Sequence, residues 1–330
     1  MNSIQKYKKY KHKKTKNNDI YKKKYKYYKV MVGGLRSLDK QYLKELDNVI
    51  KTINASRDEK SQIDESHGLH HGLIVLCNVA KALDYNSDIT ARQKLLVKLA
   101  ALLHDIDDHK YFPNNHKFEN ARMILNRPEI KQIDILTDNE IASILLMIYL
   151  VSSSTHGDTM PTGLPEWYFY PRYADRLEAL GLIGLERTLE YNIKKKQPLF
   201  NSDTARAKNK DELLGSIATE ERYKNYSLPG SASASMIDHF YDKLLRLGNF
   251  PIDNEYFKTE CERRISPLVD FCLEFSKQYP NGHMLTTDEN IEEIDNFKNF
   301  VNDFIKNCSQ AVRSECEQLA NLYLPEIRQL

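Results

Sequence analysis

Apolar residues recur at three- and four-residue spacing along most of this 330-residue chain. That period places apolar side chains on one face of an α-helix, whereas a half-buried strand alternates every second residue. We find no set of alternating strands and no internal repeat in the sequence. The pattern therefore predicts an all-α protein, with helices over residues 39–54, 70–84, 90–105, 116–126, 138–152, 168–193, 232–248, 255–279 and 288–323.

Polar stretches between these segments indicate the domain organisation. Residues 194–231 are polar and only weakly periodic, which predicts a long loop or a lid. The last segment, from about Asp288 to Tyr323, predicts a long helix that packs as an arm across the bundle or serves a subunit interface. We expect one helical domain over 31–250, with C-terminal helices in 251–330 packing on the same body.

The first 30 residues differ in composition from the rest of the chain. They contain 12 lysines and one acidic residue, and the remaining 36 basic and 45 acidic residues give the body a charge of about −9. Lysine mixed with tyrosine, without a period that could bury a face, predicts a disordered tail over 1–30. Two interpretations stay open: a tail without a specific partner, with Met31 as the true start, and an arm that binds nucleic acid.

Cysteine usage and the absence of a long apolar run bear on the compartment. No run approaches the roughly 20 apolar residues that span a bilayer, and the lysine-rich N-terminus lacks the apolar segment of a secretory signal. The cysteines are odd in number and show no CxxC spacing: Cys77, Cys261, Cys272, Cys308 and Cys316. We expect a reducing cytoplasmic compartment, no disulfide framework and no membrane partner.

The adjacent pair His104-Asp105 at the end of an apolar segment is the first candidate for chemistry. Adjacent residues on a helix point about 100° apart, so one ion rarely binds both within a regular turn. At a frayed helix end, with the apolar face fixed in a core, the imidazole and the carboxylate can converge on one ion. The pair therefore predicts a metal site if other ligands lie nearby.

Two further segments supply such ligands. His67, His70 and His71 open a predicted helix, and the first and last of them are four residues apart and share a face. Downstream, Asp175 lies near an apolar helix face, where a carboxylate needs a partner, and an ion pair with Arg176 is the structural alternative. Two imidazoles and two carboxylates form a mixed donor set that suits Mn²⁺, Mg²⁺ or Fe²⁺.

The order and the amino-acid sequences of these segments resemble those of the HD superfamily of metal-dependent phosphohydrolases. They are most similar to a small subgroup with HDxxH, LLHDIxDxK and ADRLxAxGxIGxxRT segments, which occur here at 67–71, 102–110 and 174–188. The similarity runs from about residue 60 to 250. It implies an HD-domain helical bundle with these metal ligands: His71, His104, Asp105 and Asp175. The chain departs from the subgroup pattern at three positions: Gly68, Ile74 and Asp107.

The resemblance implies a hydrolase that cleaves a phosphoanhydride or phosphoester bond of a nucleotide. Cleavage of a deoxynucleoside triphosphate to monophosphate and pyrophosphate is the specific case, with one Mn²⁺ or Mg²⁺ ion, or alternatively Fe²⁺, activating a water. Asp108 is the candidate for orienting or deprotonating that water. Lys110 and Arg176 are candidates for phosphate contact, and His67 for supporting the ligands or protonating the leaving group.

Other assignments of the histidines and of the function stay open. His156 is a candidate for contact with substrate, and with His109 and His116 it could instead hold a second ion. The alternatives to an enzyme are a catalytically weak module that senses a nucleotide and a nucleic-acid-associated protein that acts through residues 1–30.

Overall fold

The computed structural model describes residues 40–55, 62–63, 67–109, 111–113, 115, 117–131, 136–151, 160–228, 230–280, 284–286, 291–308 and 315–327. Within these ranges the regular secondary structure is helical, and an isolated antiparallel bridge joins Phe200 and Leu285. The all-α prediction is confirmed. The predicted tail over 1–30 lies outside the described residues. No helix of the described residues is long and apolar enough to cross a membrane.

The chain divides into two compact units whose boundary falls inside a helix. The first unit contains the described residues up to Asp175 together with the C-terminal helix, and the second runs from Arg176 to Arg313. The domain boundaries predicted at residues 31 and 250 stay predictions.

The helices of the two units are numbered here in chain order. Before the boundary they are α1 (Lys40–Ala55), α2 (Leu69–Asp84), α3 (Ala91–Leu103), α4 (Glu119–Leu125), α5 (Asp138–Val151) and α6 (Tyr170–Glu178), which contains the boundary. A one-turn helix, Pro128–Lys131, and a 3₁₀ turn, Glu166–Phe169, complete this part. The second unit contains α7 (Gly181–Lys195), α8 (Glu220–Tyr226), α9 (236–247), α10 (Glu255–Gln278) and α11 (Ile291–Asn307). The C-terminal helix of the first unit is α12 (Glu315–Ile327).

Helices α2 and α3 form the centre of the first unit. Helix α2 packs against α3 and α12, and α3 also packs against α5. Helix α3 begins at a capping box, in which the Thr90 hydroxyl accepts from the backbone N–H of Gln93 and the Gln93 side chain accepts from the backbone N–H of Thr90. Every residue from Leu95 to Leu103 is buried. The cap and the core therefore fix both ends of α3, including the end that carries the His-Asp pair.

The C-terminal helix α12 is joined to α2 by a disulfide between Cys77 and Cys316, whose Cα atoms are 5.5 Å apart. A hydrogen bond of 2.9 Å between His70 Nε2 and Asn321 Oδ1 adds to this contact. The expectation of no disulfide is wrong for these two cysteines. Both occupy core positions on packed helices, and this packing places residues 239 positions apart within bonding geometry.

We expect Cys316→Ser to lower the free energy of unfolding by about 2–4 kcal/mol, because the bond closes a long loop in the unfolded chain. Urea unfolding with and without reductant measures this effect. Reductant should destabilise the wild-type protein but leave the variant unchanged. Cys308→Ser, at a free cysteine of the second unit, is the control and should behave as wild type. A wild-type midpoint that reductant does not move would contradict the disulfide.

The single helices predicted over 168–193 and 288–323 are wrong, because each is two helices. Helix α6 ends at Glu178 and α7 begins at Gly181, whose φ of +77° lies in the left-handed region that favours glycine. Helix α11 ends at Asn307, whereas α12 begins at Glu315 and belongs to the other unit.

The long loop predicted over 194–231 also contains helical turns. The Asn209 side chain accepts from the backbone N–H of Glu212, and Thr219 accepts from that of Arg222, so each begins a helical segment. These segments are Lys210–Glu212, the π-helical Leu213–Ile217, and α8. Segments of three to seven residues are too short to show an apolar period, so the caps rather than a period mark where they begin.

Candidate metal centre

His71 is buried in the first turn of α2. Gly72, the next residue, accounts for how close His71 lies to α3. A Cβ on Gly72 would lie 3.1 Å from the backbone oxygen of Leu102 on α3. Glycine at this position therefore allows the backbones of α2 and α3 to approach closely. This approach brings the His71 ring next to the C-terminal end of α3.

His104 and Asp105 lie in the turn that ends α3, as the sequence predicts. His104 Nδ1 is 2.8 Å from the backbone oxygen of Ala101, a distance suited to donation of the Nδ1–H to this carbonyl. That hydrogen bond leaves the lone pair on Nε2, the atom through which such a histidine binds a metal. The ring is therefore oriented by the turn that carries it.

The side chains of His71, His104 and Asp105 converge. The two Nε2 atoms are 3.2 Å apart, Asp105 Oδ2 is 3.5 Å from His71 Nε2, and Asp105 Oδ1 is 3.3 Å from His104 Nε2. Each residue offers a ligand atom within 4.8 Å of the others, so the group could hold a metal ion. Atoms bonded to one ion at about 2.1 Å lie roughly 3–4 Å apart, which agrees with these distances.

Asp175 lies beside the same two rings. Its Oδ1 is 3.2 Å from His71 Nε2 and 3.6 Å from His104 Nε2. The helix that carries it, α6, is tied to α5 by Arg172, whose Nε donates to the backbone oxygen of Leu150 at 2.5 Å. The side chains of Asp105 and Asp175 are 18% and 34% exposed, whereas those of the histidines are 5% and 0% exposed. The cluster therefore meets solvent on its carboxylate side.

The electrostatics of the cluster favour a bound cation. Burial alone would favour a neutral ring at His104, but the carboxylates of Asp105 and Asp175 outweigh it and raise the pKa of His104 to about 9. For Asp175, burial is outweighed by His104 and His71, which hold the pKa of this carboxyl well below its ordinary value. The negative charge of these carboxylates, which holds a proton on His104, would equally stabilise a bound divalent ion.

The raised pKa of His104 predicts a pH-dependent stability of the metal-free protein. The folded value of about 9 lies above the ordinary 6.5, so the protonated ring stabilises the fold fully below pH 6.5. This contribution is lost as the pH rises through about 9 and is on the order of 3 kcal/mol. Urea unfolding of chelator-treated protein between pH 6 and 9.5 measures it. His104→Gln should remove the slope, and an equal slope in this variant would assign it to other groups.

The remaining predicted site residues differ in how the structure places them. Asp108 lies in the turn after α3, and its backbone N–H donates to the backbone oxygen of Asp105 at 3.0 Å. Arg176 is buried and is the first residue of the second unit. His67 is half-buried and lies before α2 begins. Lys110 and His156 lie outside the described residues. The roles assigned to these residues stay predictions.

Asp107, one of the three departures from the HD pattern, has a structural role in the fold. Its buried carboxylate accepts from the backbone N–H groups of Asn120 at 3.0 Å and Ala121 at 2.8 Å, at the start of α4. Burial raises the pKa of Asp107, although these hydrogen bonds oppose the shift. Asp107 thus anchors the segment after the metal-site turn to α4. A cap that spans 13 and 14 residues has no local sequence signal.

The other two positions that depart from the HD subgroup pattern are Gly68 and Ile74. Gly68 is the N-cap residue of α2, in an extended conformation and without a side-chain cap. Ile74 is buried in the core of the first unit.

The fold and the site define an all-α protein with a candidate His-His-Asp metal centre. The chain is 37% identical to the uncharacterized protein L803 of Acanthamoeba polyphaga mimivirus over 219 residues, which are 63% of this chain and 88% of that protein. The chain belongs to the same family as this viral protein. No family model matches the chain. A crystal structure of a Lactobacillus plantarum protein is similar over 72% of this chain and 97% of that one, with 21% identity and a TM-score of 0.48.

Proposed function

We propose that this protein is a metal-dependent phosphohydrolase of the HD type that acts on a nucleotide. The observation that carries the proposal is the convergence of His71, His104 and Asp105, with Asp175 beside both rings. These residues come from three separate segments, in the order and with the neighbours that the HD pattern has. An ion pair between Asp175 and Arg176 alone would not require this convergence.

The donor set supports a single Mn²⁺ or Mg²⁺ ion held by two imidazole nitrogens and two carboxylates. Such an ion, when bound, makes a water nucleophilic at neutral pH and polarises a phosphoryl oxygen. The two buried imidazoles close one side of the centre to solvent, and the two partly exposed carboxylates leave the other side open. A substrate would therefore approach from the carboxylate side.

The chain's own residues would then position the reactants. Asp108, half-buried and fixed to the Asp105 carbonyl through its backbone N–H, would orient the attacking water and accept its proton. Lys110, Arg176 and His156 are the proposed contacts for phosphate groups, where positive charge offsets the charge of the transition state. Deoxynucleoside triphosphates are the proposed substrates, with monophosphate and pyrophosphate as products. A cytoplasmic location belongs to the same proposal, although disulfides such as Cys77–Cys316 are rare in that reducing compartment. Binding of nucleic acid through residues 1–30 is the alternative to a tail without a specific partner.

A hydrolysis screen of the purified full-length chain tests the proposal. The panel contains the four deoxynucleoside triphosphates, the ribonucleotides and the monophosphates, each with Mn²⁺, Mg²⁺, Fe²⁺ or EDTA. Anion-exchange chromatography separates pyrophosphate from phosphate and so identifies the bond that is cut. We expect activity with Mn²⁺ or Mg²⁺ and loss of it with EDTA. A protein that binds metal and nucleotide yet cleaves none of them would instead be a sensing module.

A further inference from the structure

His67 and Tyr111 form a pair of side chains next to the metal centre. Tyr111 Oη lies 3.2 Å from His67 Nδ1, and the two rings meet edge to face with centroids 5.5 Å apart. The His67 ring centroid is 6.4 Å from that of His71. His67 is therefore outside the group that could hold the ion, yet near enough to meet a group bound there.

We infer that Tyr111 is a positioning residue that holds His67 as a hydrogen-bond donor to a phosphoryl oxygen at the metal centre. The inference rests on the proposed function, because it assigns the substrate phosphate as the partner of His67. The inference assigns the Tyr111 hydroxyl as the donor and His67 Nδ1 as the acceptor of their 3.2 Å contact, which places the ring proton on Nε2. His67 thereby presents an N–H group, the polarity that a phosphate oxygen requires.

The backbone links Tyr111 to the metal-site turn. The backbone N–H of Asp108 donates to the backbone oxygen of Asp105 at 3.0 Å, and the backbone N–H of Tyr111 donates to the backbone oxygen of Asp108 at 3.0 Å. Two consecutive turns thus connect a candidate metal ligand to the tyrosine. His67 stands in the turn that leads into α2, which carries His71. The two halves of the pair are therefore each fixed to a ligand-bearing segment, which is what positioning a substrate contact requires.

A purely structural role is the competing explanation. The N-cap of α2, Gly68, has no side-chain cap, so the His67–Tyr111 contact could serve only to hold the start of this helix. That role requires neither a fixed tautomer nor any effect on phosphate affinity. The two explanations therefore differ in measurable ways.

The tautomer of His67 is read directly by long-range ¹H–¹⁵N correlation spectra of histidine-labelled full-length protein, with His67→Ala assigning the signal. We expect the Nε2–H tautomer in the wild type and a mixture in Tyr111→Phe, which keeps the aromatic ring and removes the hydroxyl. Tyr149→Phe, an exposed tyrosine of α5, is the matched control and should leave the signal unchanged. An Nδ1–H tautomer in the wild type would overturn the inference.

Steady-state kinetics on the deoxynucleotide that is cleaved supply the second test. Tyr111→Phe should raise KM about five- to tenfold with kcat within about twofold, because a phosphate contact made equally in ground and transition states affects binding alone. In a His67→Ala background the same substitution should have no further effect. Additive effects of the two substitutions, or loss of bound metal in Tyr111→Phe, would assign the pair a structural role.

The failure of this inference can be told apart from failure of the proposed function. If the wild-type protein cleaves no nucleotide, the affinity for tripolyphosphate in the presence of Mn²⁺, measured by calorimetry, replaces KM in the same comparison. A weaker affinity in Tyr111→Phe then supports the pair although the hydrolase proposal has failed. Equal affinity in both proteins, or no binding to the wild type, overturns the inference.

Discussion

Asp105→Asn is expected to empty the metal centre and to abolish hydrolysis. The substitution preserves the size of the side chain but removes the negative charge that lies 3.5 Å from His71 Nε2 and 3.3 Å from His104 Nε2. Removing groups that only hydrogen-bond to a metal ligand costs about 10–100-fold in metal affinity or activity. Loss of a ligand itself should therefore cost more than about 100-fold in both.

Metal content and calorimetric titration with Mn²⁺ measure this effect before any substrate is known. We expect one equivalent of metal per wild-type chain, and a Kd for Mn²⁺ that rises by more than about 100-fold in Asp105→Asn. Asp88→Asn, at an exposed aspartate just before α3, is the matched control and should bind as wild type. Two equivalents in the wild type would favour the second ion considered for His109, His116 and His156.

The ligand cluster shows why part of this site could be predicted from the sequence. The spacing of apolar residues predicts the helices. His104-Asp105 lies where this spacing stops at the end of α3, so the position of the pair at a helix end could be predicted. His71 and Asp175 are far apart in sequence, and their meeting with this pair depends on how the helices pack. The resemblance to a known pattern supplied that information, because a shared order of segments encodes a shared packing.

The features that the sequence did not predict depend on contacts between distant segments. The Asp107 carboxylate caps a helix that begins twelve residues later, and Cys77 meets Cys316 across 239 positions. The break at Gly181 is different, because a single glycine inside an apolar period is compatible with a continuous helix. Its positive φ, next to the aliphatic part of Arg264, is a consequence of the tertiary fold.

Arg264 on α10 is a deeply buried charge of the second unit with a defined partner, Glu178. Its Nη1 is 3.0 Å from Glu178 Oε1 and donates to the backbone oxygen of Leu177 at 2.6 Å, and its Nε donates to Glu260 Oε2 at 3.1 Å. The side chains of Arg264 and Glu178 are 3% and 2% exposed. Burial opposes the charged guanidinium, but Glu178 outweighs it and raises the pKa of Arg264. The pair ties the break between α6 and α7 to α10.

We expect Arg264→Ala to lower the free energy of unfolding by about 3–5 kcal/mol, because it removes the positive charge that lies 3.0 Å from the buried Glu178 carboxylate. Urea unfolding followed by far-ultraviolet circular dichroism measures the loss. Replacing both partners, as Arg264→Met with Glu178→Leu, should recover most of it, since no uncompensated charge remains. The neighbouring Arg263, 25% exposed and paired with Glu260 at 2.7 Å, provides the control, and Arg263→Ala should cost less than about 1 kcal/mol. Equal losses for the two arginines would show that burial of the Arg264 pair carries no special weight in this fold.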